Sequence, residues 1–158
     1  MSRSIAIVTD FERRFIKPAY LLLLFMMGLT GFSQMPIFKR YYIADIPGLG
    51  WLAEYYVTHV IHYLGAIALL FLMAYCSTVY LALLRRKYRL TLWAHVRVIL
   101  LAGIVATGVL RVLKNLPDVL FSPGFTMTID IAHLAFMMLF IAAAIGAALT
   151  KGGWLKEI

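Results

Sequence analysis

Four apolar stretches, each about as long as a bilayer-crossing helix, constrain this chain more than any other feature. Crossing the hydrocarbon core takes about 20 residues in a helix. Pro18 to Phe38 carries no charge and is bracketed by Lys17 and Lys39. Tyr55 to Leu84 is uncharged over 30 residues. Leu90 to Leu110 holds only His95 and Arg97 as ionisable groups, both near its start, and Ile131 to Thr150 runs from Asp130 to Lys151. Helices are the one open-ended structure that satisfies its own backbone in lipid. The sequence therefore predicts an all-α, transmembrane four-helix bundle in a single domain of residues 1–158, with helices at about 18–38, 55–84, 90–113 and 127–150.

Composition agrees. The 158 residues are 63% apolar and 14% charged. Soluble domains average about 45–50% and about 25%. A chain this short buries only part of its surface, so the apolar excess could not be hidden in water. That excludes a soluble enzyme, a disordered tail and a disulfide scaffold, the last also because Cys76 is the only cysteine. The first stretch is longer than a signal-peptide core and lacks a small-residue cleavage site, so a retained helix is expected. Phe11, Phe15 and Ile16 beside Arg13 and Arg14 suggest a short interfacial helix before it.

The net charge of +8 is read as membrane sidedness, not as nucleic-acid binding. With four spans, the N-terminus, the second loop and the C-terminus share one side. They hold 11 of the 15 Lys and Arg residues, including the Arg85-Arg86-Lys87-Tyr88-Arg89 cluster. Lys39, Arg40, Arg111 and Lys114 lie on the other side with Asp45, Glu54, Asp118 and Asp130. Positive loops stay in the cytoplasm, which places both termini there. Trp51 and the tyrosines of the first outer loop fit an interfacial belt, and Lys114 to Phe125 is a turn-rich connector. No internal repeat stands out.

Ionisable groups within a membrane usually face the interior of the protein and carry function. His62 lies seven residues after Tyr55, roughly 10 Å along a helix, and His133 six after Met127, roughly 9 Å. Two histidines at similar depth on separate helices suit the two axial positions of one b-type haem. Gly65, three residues after His62, offers a bare surface to a flat ring. His59 and His62 point the same way and cannot ligate opposite faces of one ring. His59 is either a proton or propionate partner or the ligand in place of His62. A zinc site of His59, His62, Asp130 and His133 is the competing metal reading, and zinc takes three or four ligands. His95, near the cytoplasmic end of its helix, reads as an interfacial residue beside Trp93 and Arg97.

The layout resembles the membrane cytochrome b subunits of respiratory formate dehydrogenases and nickel–iron hydrogenases. The resemblance rests on Gly28-Leu29-Thr30-Gly31, Pro47-Gly48-Leu49-Gly50, His62-x-x-Gly65 and His133, and it covers most of the chain. It implies an outer-side haem held by His62 and His133. Family members hold a second, inner haem through a histidine in helix one and another 14 residues beyond the first on helix four, about 21 Å further along it. Here helix one has no histidine and that position is Ala147, so one haem is expected.

The function so implied is a membrane-anchor electron-transfer subunit of a respiratory oxidoreductase complex in a bacterial inner membrane. It would pass electrons between a peripheral iron–sulfur or multihaem cytochrome subunit and an exchangeable quinone such as menaquinone. Substrate-converting residues are not evident, so the chain reads as a subunit and not as a self-sufficient enzyme. The alternative is a haem-free structural anchor with a quinone site. Arg111 and Lys114 are candidate partners of haem propionates or snorkelling anchors, and Asp130 a candidate cap of helix four.

Overall fold

The computed structural model describes residues 12–35 and 40–158. Four helices within them are long and apolar enough to cross a membrane, as the sequence predicts. They are α1 (Lys17–Ser33), α2 (Tyr55–Val79), α3 (Leu92–Leu113) and α4 (Pro123–Leu149). A π-helical turn, Glu12–Ile16, leads into α1, and another, Tyr80–Leu84, prolongs α2. The described residues also include two short 3-10 turns, Ile43–Asp45 and Gly50–Ala53, and two three-residue strands, β1 (Tyr88–Leu90) and β2 (Leu155–Glu157). No more than 22% of any span is buried within the chain. Large apolar side chains such as Phe71, Phe25 and Leu149 stand outward. In water that surface would drive aggregation, whereas a bilayer solvates it.

The chain divides into two compact units, Met1–Arg85 and Arg86–Ile158. In the first, α1 packs antiparallel on α2 as a helical hairpin. Pro18 sits in the first turn of α1, where a missing N–H costs nothing. The helix ends at Ser33, earlier than expected, and Gln34 and Met35 turn away. The last expected residues of this span, 36–38, lie outside the described residues. So does Phe11 of the expected interfacial helix. Within that segment Arg14 lies 5.4 Å over the Phe15 ring. The buried side chains of this unit include Leu52, Thr30, Thr58 and Leu69.

The second unit is the hairpin of α3 and α4. Thr91 caps α3 by accepting from the Ala94 N–H at 3.1 Å, and Ser122 caps α4 by accepting from Phe125 N–H at 3.3 Å. Helix α4 therefore starts at Pro123, four residues before the expected start. His133 then lies roughly 15 Å along its helix and His62 roughly 10 Å along its own, so matched depth counted from helix starts does not hold. Asp130, seven residues inside α4, is not its cap.

The open end of this second hairpin is tied by its own chain. β1 pairs antiparallel with β2, Leu90 opposite Leu155 and Tyr88 opposite Glu157. Thr91 Oγ1 donates to the Gly153 carbonyl at 2.7 Å. Arg97 is 93% buried in this end, because its relative exposure is 7%. It donates to the carbonyls of Trp93, Gly152 and Gly153 and lies 3.9 Å over the Trp154 ring. A charge inside a span is thus neutralised by carbonyls and an aromatic face, which is how such a group survives near a membrane boundary.

Candidate functional site

In the first hairpin, α1 ends and α2 begins at the same end, and the polar residues of both helices collect there. Thr30 of α1 is fully buried. Its hydroxyl lies 2.7 Å from the Met26 carbonyl and 3.0 Å from His62 Nδ1 on α2. One hydroxyl carries one proton. That proton satisfies the carbonyl four residues back, so the oxygen accepts from an Nδ1–H of His62. Hydrogen-bond accounting thereby assigns the tautomer, and the lone pair sits on Nε2. The next residue, Gly31, makes room for the ring: a Cβ there would lie 3.3 Å from His62 Cε1.

The second hairpin builds the same arrangement from α3 and α4. The Thr107 hydroxyl lies 2.7 Å from the Gly103 carbonyl and 2.9 Å from His133 Nδ1. A Cβ on the following Gly108 would lie 3.4 Å from His133 Cε1. His133 is thus also an Nδ1–H donor with its lone pair on Nε2. The residue four before each histidine, Thr58 or Ile129, is buried. A Thr-Gly on the first helix of each hairpin holds a histidine on the second. This local repeat is the feature that sequence reading missed. Its signal is the pair Thr30-Gly31-x-x-Gln34 and Thr107-Gly108-x-x-Arg111, with His59-x-x-His62 and Asp130-x-x-His133.

One turn nearer the connecting loop, each hairpin carries a second polar pair, and here they differ. In the first, His59 Nδ1 lies 3.4 Å from Gln34 Oε1. The His59 ring stacks on Tyr55 at 5.1 Å and meets Tyr63 at 4.3 Å between centroids. In the second, Arg111 Nε lies 2.9 Å from Asp130 Oδ1 as a charge pair whose N–H is not aimed at the oxygen. Lys114 Nζ donates to both Asp130 oxygens, at 2.9 and 2.8 Å. Two cations and one carboxylate leave one surplus positive charge there.

The expected site residues sort as follows. His62 and His133 occupy corresponding places in the two hairpins, while His59 corresponds to Asp130. Gly65 does not present a bare surface: a Cβ there would lie 2.6 Å from Met27 Sδ, so this glycine serves the packing of α1 on α2. Arg111 and Lys114 are engaged by Asp130. Within neither hairpin do three or more His, Cys, Asp or Glu side chains gather among the described residues, as a zinc site requires. His95 is exposed on the first turn of α3 and donates from Nδ1 to the Thr91 carbonyl at 2.8 Å.

Haem ligation asks for imidazoles that present Nε2 and are fixed through Nδ1–H, because a ligating histidine is normally oriented by a bond from its other nitrogen. His62 and His133 are both held through Nδ1 by a threonine hydroxyl, as that demand requires. Comparison with protein-family models, curated proteins and solved structures finds no match for this chain.

Proposed function

We propose that the chain is a membrane electron-transfer subunit of a respiratory oxidoreductase complex, with one b-type haem held by His62 and His133. The observation that carries this reading is the twin Thr-Gly-to-histidine arrangement. An intramembrane histidine without a function needs only some hydrogen-bond partner. Two histidines given the same threonine acceptor, the same adjacent glycine and the same tautomer imply one demand met twice. A bis-imidazole iron site makes that demand. The haem would supply one-electron transfer, and the surplus charge of the Arg111–Lys114–Asp130 group would suit one propionate.

The partners in this reading are a peripheral iron–sulfur or multihaem cytochrome subunit and the quinone pool. The 11-to-4 split of Lys and Arg supports cytoplasmic termini, and the bacterial inner membrane is what the resemblance implies. The resemblance to the cytochrome b subunits of formate dehydrogenases and nickel–iron hydrogenases supports the same assignment. The test is a pyridine haemochrome assay on the purified full-length chain. It should give about one haem per chain with a low-spin reduced spectrum. A protein without haem would leave the structural-anchor alternative, and two haems per chain would overturn the one-site reading.

A further inference from the structure

The ribbon that closes one end of the second hairpin sets two cations side by side. β1 and β2 pair antiparallel with Arg89 opposite Lys156. Residues directly opposite in such a pair project from the same face, with Cβ atoms about 5 Å apart. Both are exposed, while Leu90 and Leu155 on the other face are half-buried. Like charges placed so are destabilising. The neighbouring acid, Glu157, is engaged by Lys87 at 3.1 Å, and no salt bridge to Arg89 or Lys156 occurs among the described residues. A third cation is held against backbone preference. Helix α4 ends with Lys151 N–H on the Ala148 carbonyl at 3.2 Å and Gly152 N–H on the Ala147 carbonyl at 2.7 Å. That termination puts Lys151 in the left-handed region, at φ 53°, where glycine is usual. The glycines stand at the next two positions instead, Gly152 and Gly153. A lysine elsewhere in the last turn would suit the helix C-terminus without that strain. Arg97 and Thr91 both donate to the Gly153 carbonyl, so turn and ribbon are fixed to α3.

We infer that this end of the second hairpin binds the head-group phosphate of an anionic phospholipid, with Arg89 and Lys156 on its oxygens and Lys151 contributing from the adjoining turn. Position selects a lipid as the source. β1 ends at Leu90, just before the span that opens at Leu92, and β2 follows the span that closes at Leu149. The ribbon therefore lies at the head-group layer that borders the hydrocarbon core. Tyr88, Trp93 and Trp154, half-buried at the same end, are aromatic types that gather at that depth. Chemistry selects the anionic class. Arginine offers a planar fork to two phosphate oxygens, and lysine adds a point charge. A choline head group brings its own ammonium, which these cations repel, whereas phosphatidylglycerol keeps a net negative charge. The inference needs only the four spans and is independent of haem and quinone.

Native mass spectrometry of the full-length protein in a neutral detergent tests this, with dioleoyl phosphatidylglycerol and dioleoyl phosphatidylcholine titrated separately. Phosphatidylglycerol should fill one site before further lipids add, about tenfold more tightly than phosphatidylcholine. Arg89→Gln and Lys156→Gln should each weaken phosphatidylglycerol about fivefold, the worth of one basic residue at an anionic surface, and leave phosphatidylcholine unchanged. Neither should lower the thermal midpoint, since each removes a cross-strand repulsion. Lys151→Gly should also weaken phosphatidylglycerol while melting no lower, because glycine takes a positive φ without strain. Arg40→Gln, at an exposed cation of the first unit, should bind as the native chain does. Equal affinity of the native chain for the two lipids overturns the site, and so does native-like binding by the three variants of the second hairpin. An equal loss in Arg40→Gln would assign the preference to net charge and overturn it too. Displacement of phosphatidylglycerol by inorganic phosphate at millimolar concentration would make this a site for free anions and overturn the lipid assignment.

Discussion

The first hairpin, α1 with α2, and the second, α3 with α4, solve one problem alike and a second one differently. Both seat a histidine on the second helix against a Thr-Gly on the first. Both use the threonine hydroxyl twice, as donor to its own helix and as acceptor for Nδ1–H. One turn away, the first hairpin pairs a histidine with an amide, and the second has a carboxylate between two cations. What is shared is a geometry that fixes a ring nitrogen. What differs is the chemistry of the polar pair, imidazole with amide in one and carboxylate with two cations in the other. The two layers can therefore be varied separately, which makes the comparison experimentally useful.

The largest expected effect comes from deleting the shared layer. His62→Ala and His133→Ala should each abolish haem binding, because six-coordinate ligation needs two nitrogens. His59→Ala and His95→Ala should retain it, since neither ring is held by a Thr-Gly. Reduced-minus-oxidised spectra of the four variants at equal protein concentration decide this. Loss of haem in His59→Ala with retention in His62→Ala would break the equivalence of the hairpins.

A smaller loss should follow from removing the oxygen behind each ring. Thr30→Val and Thr107→Val keep the shape but leave Nδ1–H without its acceptor. Loss of such a supporting contact typically costs about 10–100-fold in metal affinity or activity. Haem titration into the apo variants measures it, with a rise in reduction potential read on the same samples, because a less basic imidazole favours ferric iron less. Thr→Ser at either position should restore most of the affinity. Equal, small effects of valine and serine would show that the threonines serve helix packing and not the histidines.

The spans were legible because length and apolarity decide them almost alone. The local repeat was not, because a threonine inside an apolar helix normally bonds its own helix at the fourth residue back. Thr30 and Thr107 do that too, and only the neighbouring helix reveals the second use of each oxygen. Gly65 was misread for a similar reason: nothing in its own helix announces that Met27 of α1 fills the space. The start of α4 was readable, in that Ser122-Pro123 is a capping residue followed by a residue suited to the first turn. Reading those residues as part of the connector moved the expected start to 127 and made Asp130 look like a cap. Placed correctly, Asp130 is the partner of Arg111 and Lys114, and the cations cease to be independent haem contacts.

The divergent layer of the second hairpin should show in stability. Asp130→Asn leaves Arg111 and Lys114 to repel one another at side-chain exposures of 32% and 20%. For pairs between surface and interior, a loss of about 1–2 kcal/mol is expected. Thermal unfolding in detergent should show a lower midpoint for Asp130→Asn, whereas Gln34→Met in the first hairpin should unfold close to the native chain. An unchanged midpoint in Asp130→Asn would mean that solvent and lipid head groups already screen the two cations.

The smallest effect belongs to the strand pair that ties the second hairpin. Lys87 Nζ lies 3.1 Å from Glu157. Hydrogen bonding to that carboxylate, with its negative charge, raises the Lys87 pKa above its ordinary value of 10.5. A raised pKa on a basic group fixes the sign. Any stability it adds is complete below the unfolded value and is lost as pH climbs through the higher folded one. At neutral pH the contact is therefore fully formed, and only alkaline conditions release it. Both side chains are more than half exposed, so the thermal midpoint at pH 7 should stay unchanged in Glu157→Gln. The titration is the sensitive readout. With lysine labelled at Cε, the Lys87 midpoint should move down towards 10.5 in Glu157→Gln. If the two proteins titrate alike, the strand pair is held by backbone bonds alone, including Ile158 N–H to the Lys87 carbonyl at 3.1 Å, and the charges contribute nothing to it.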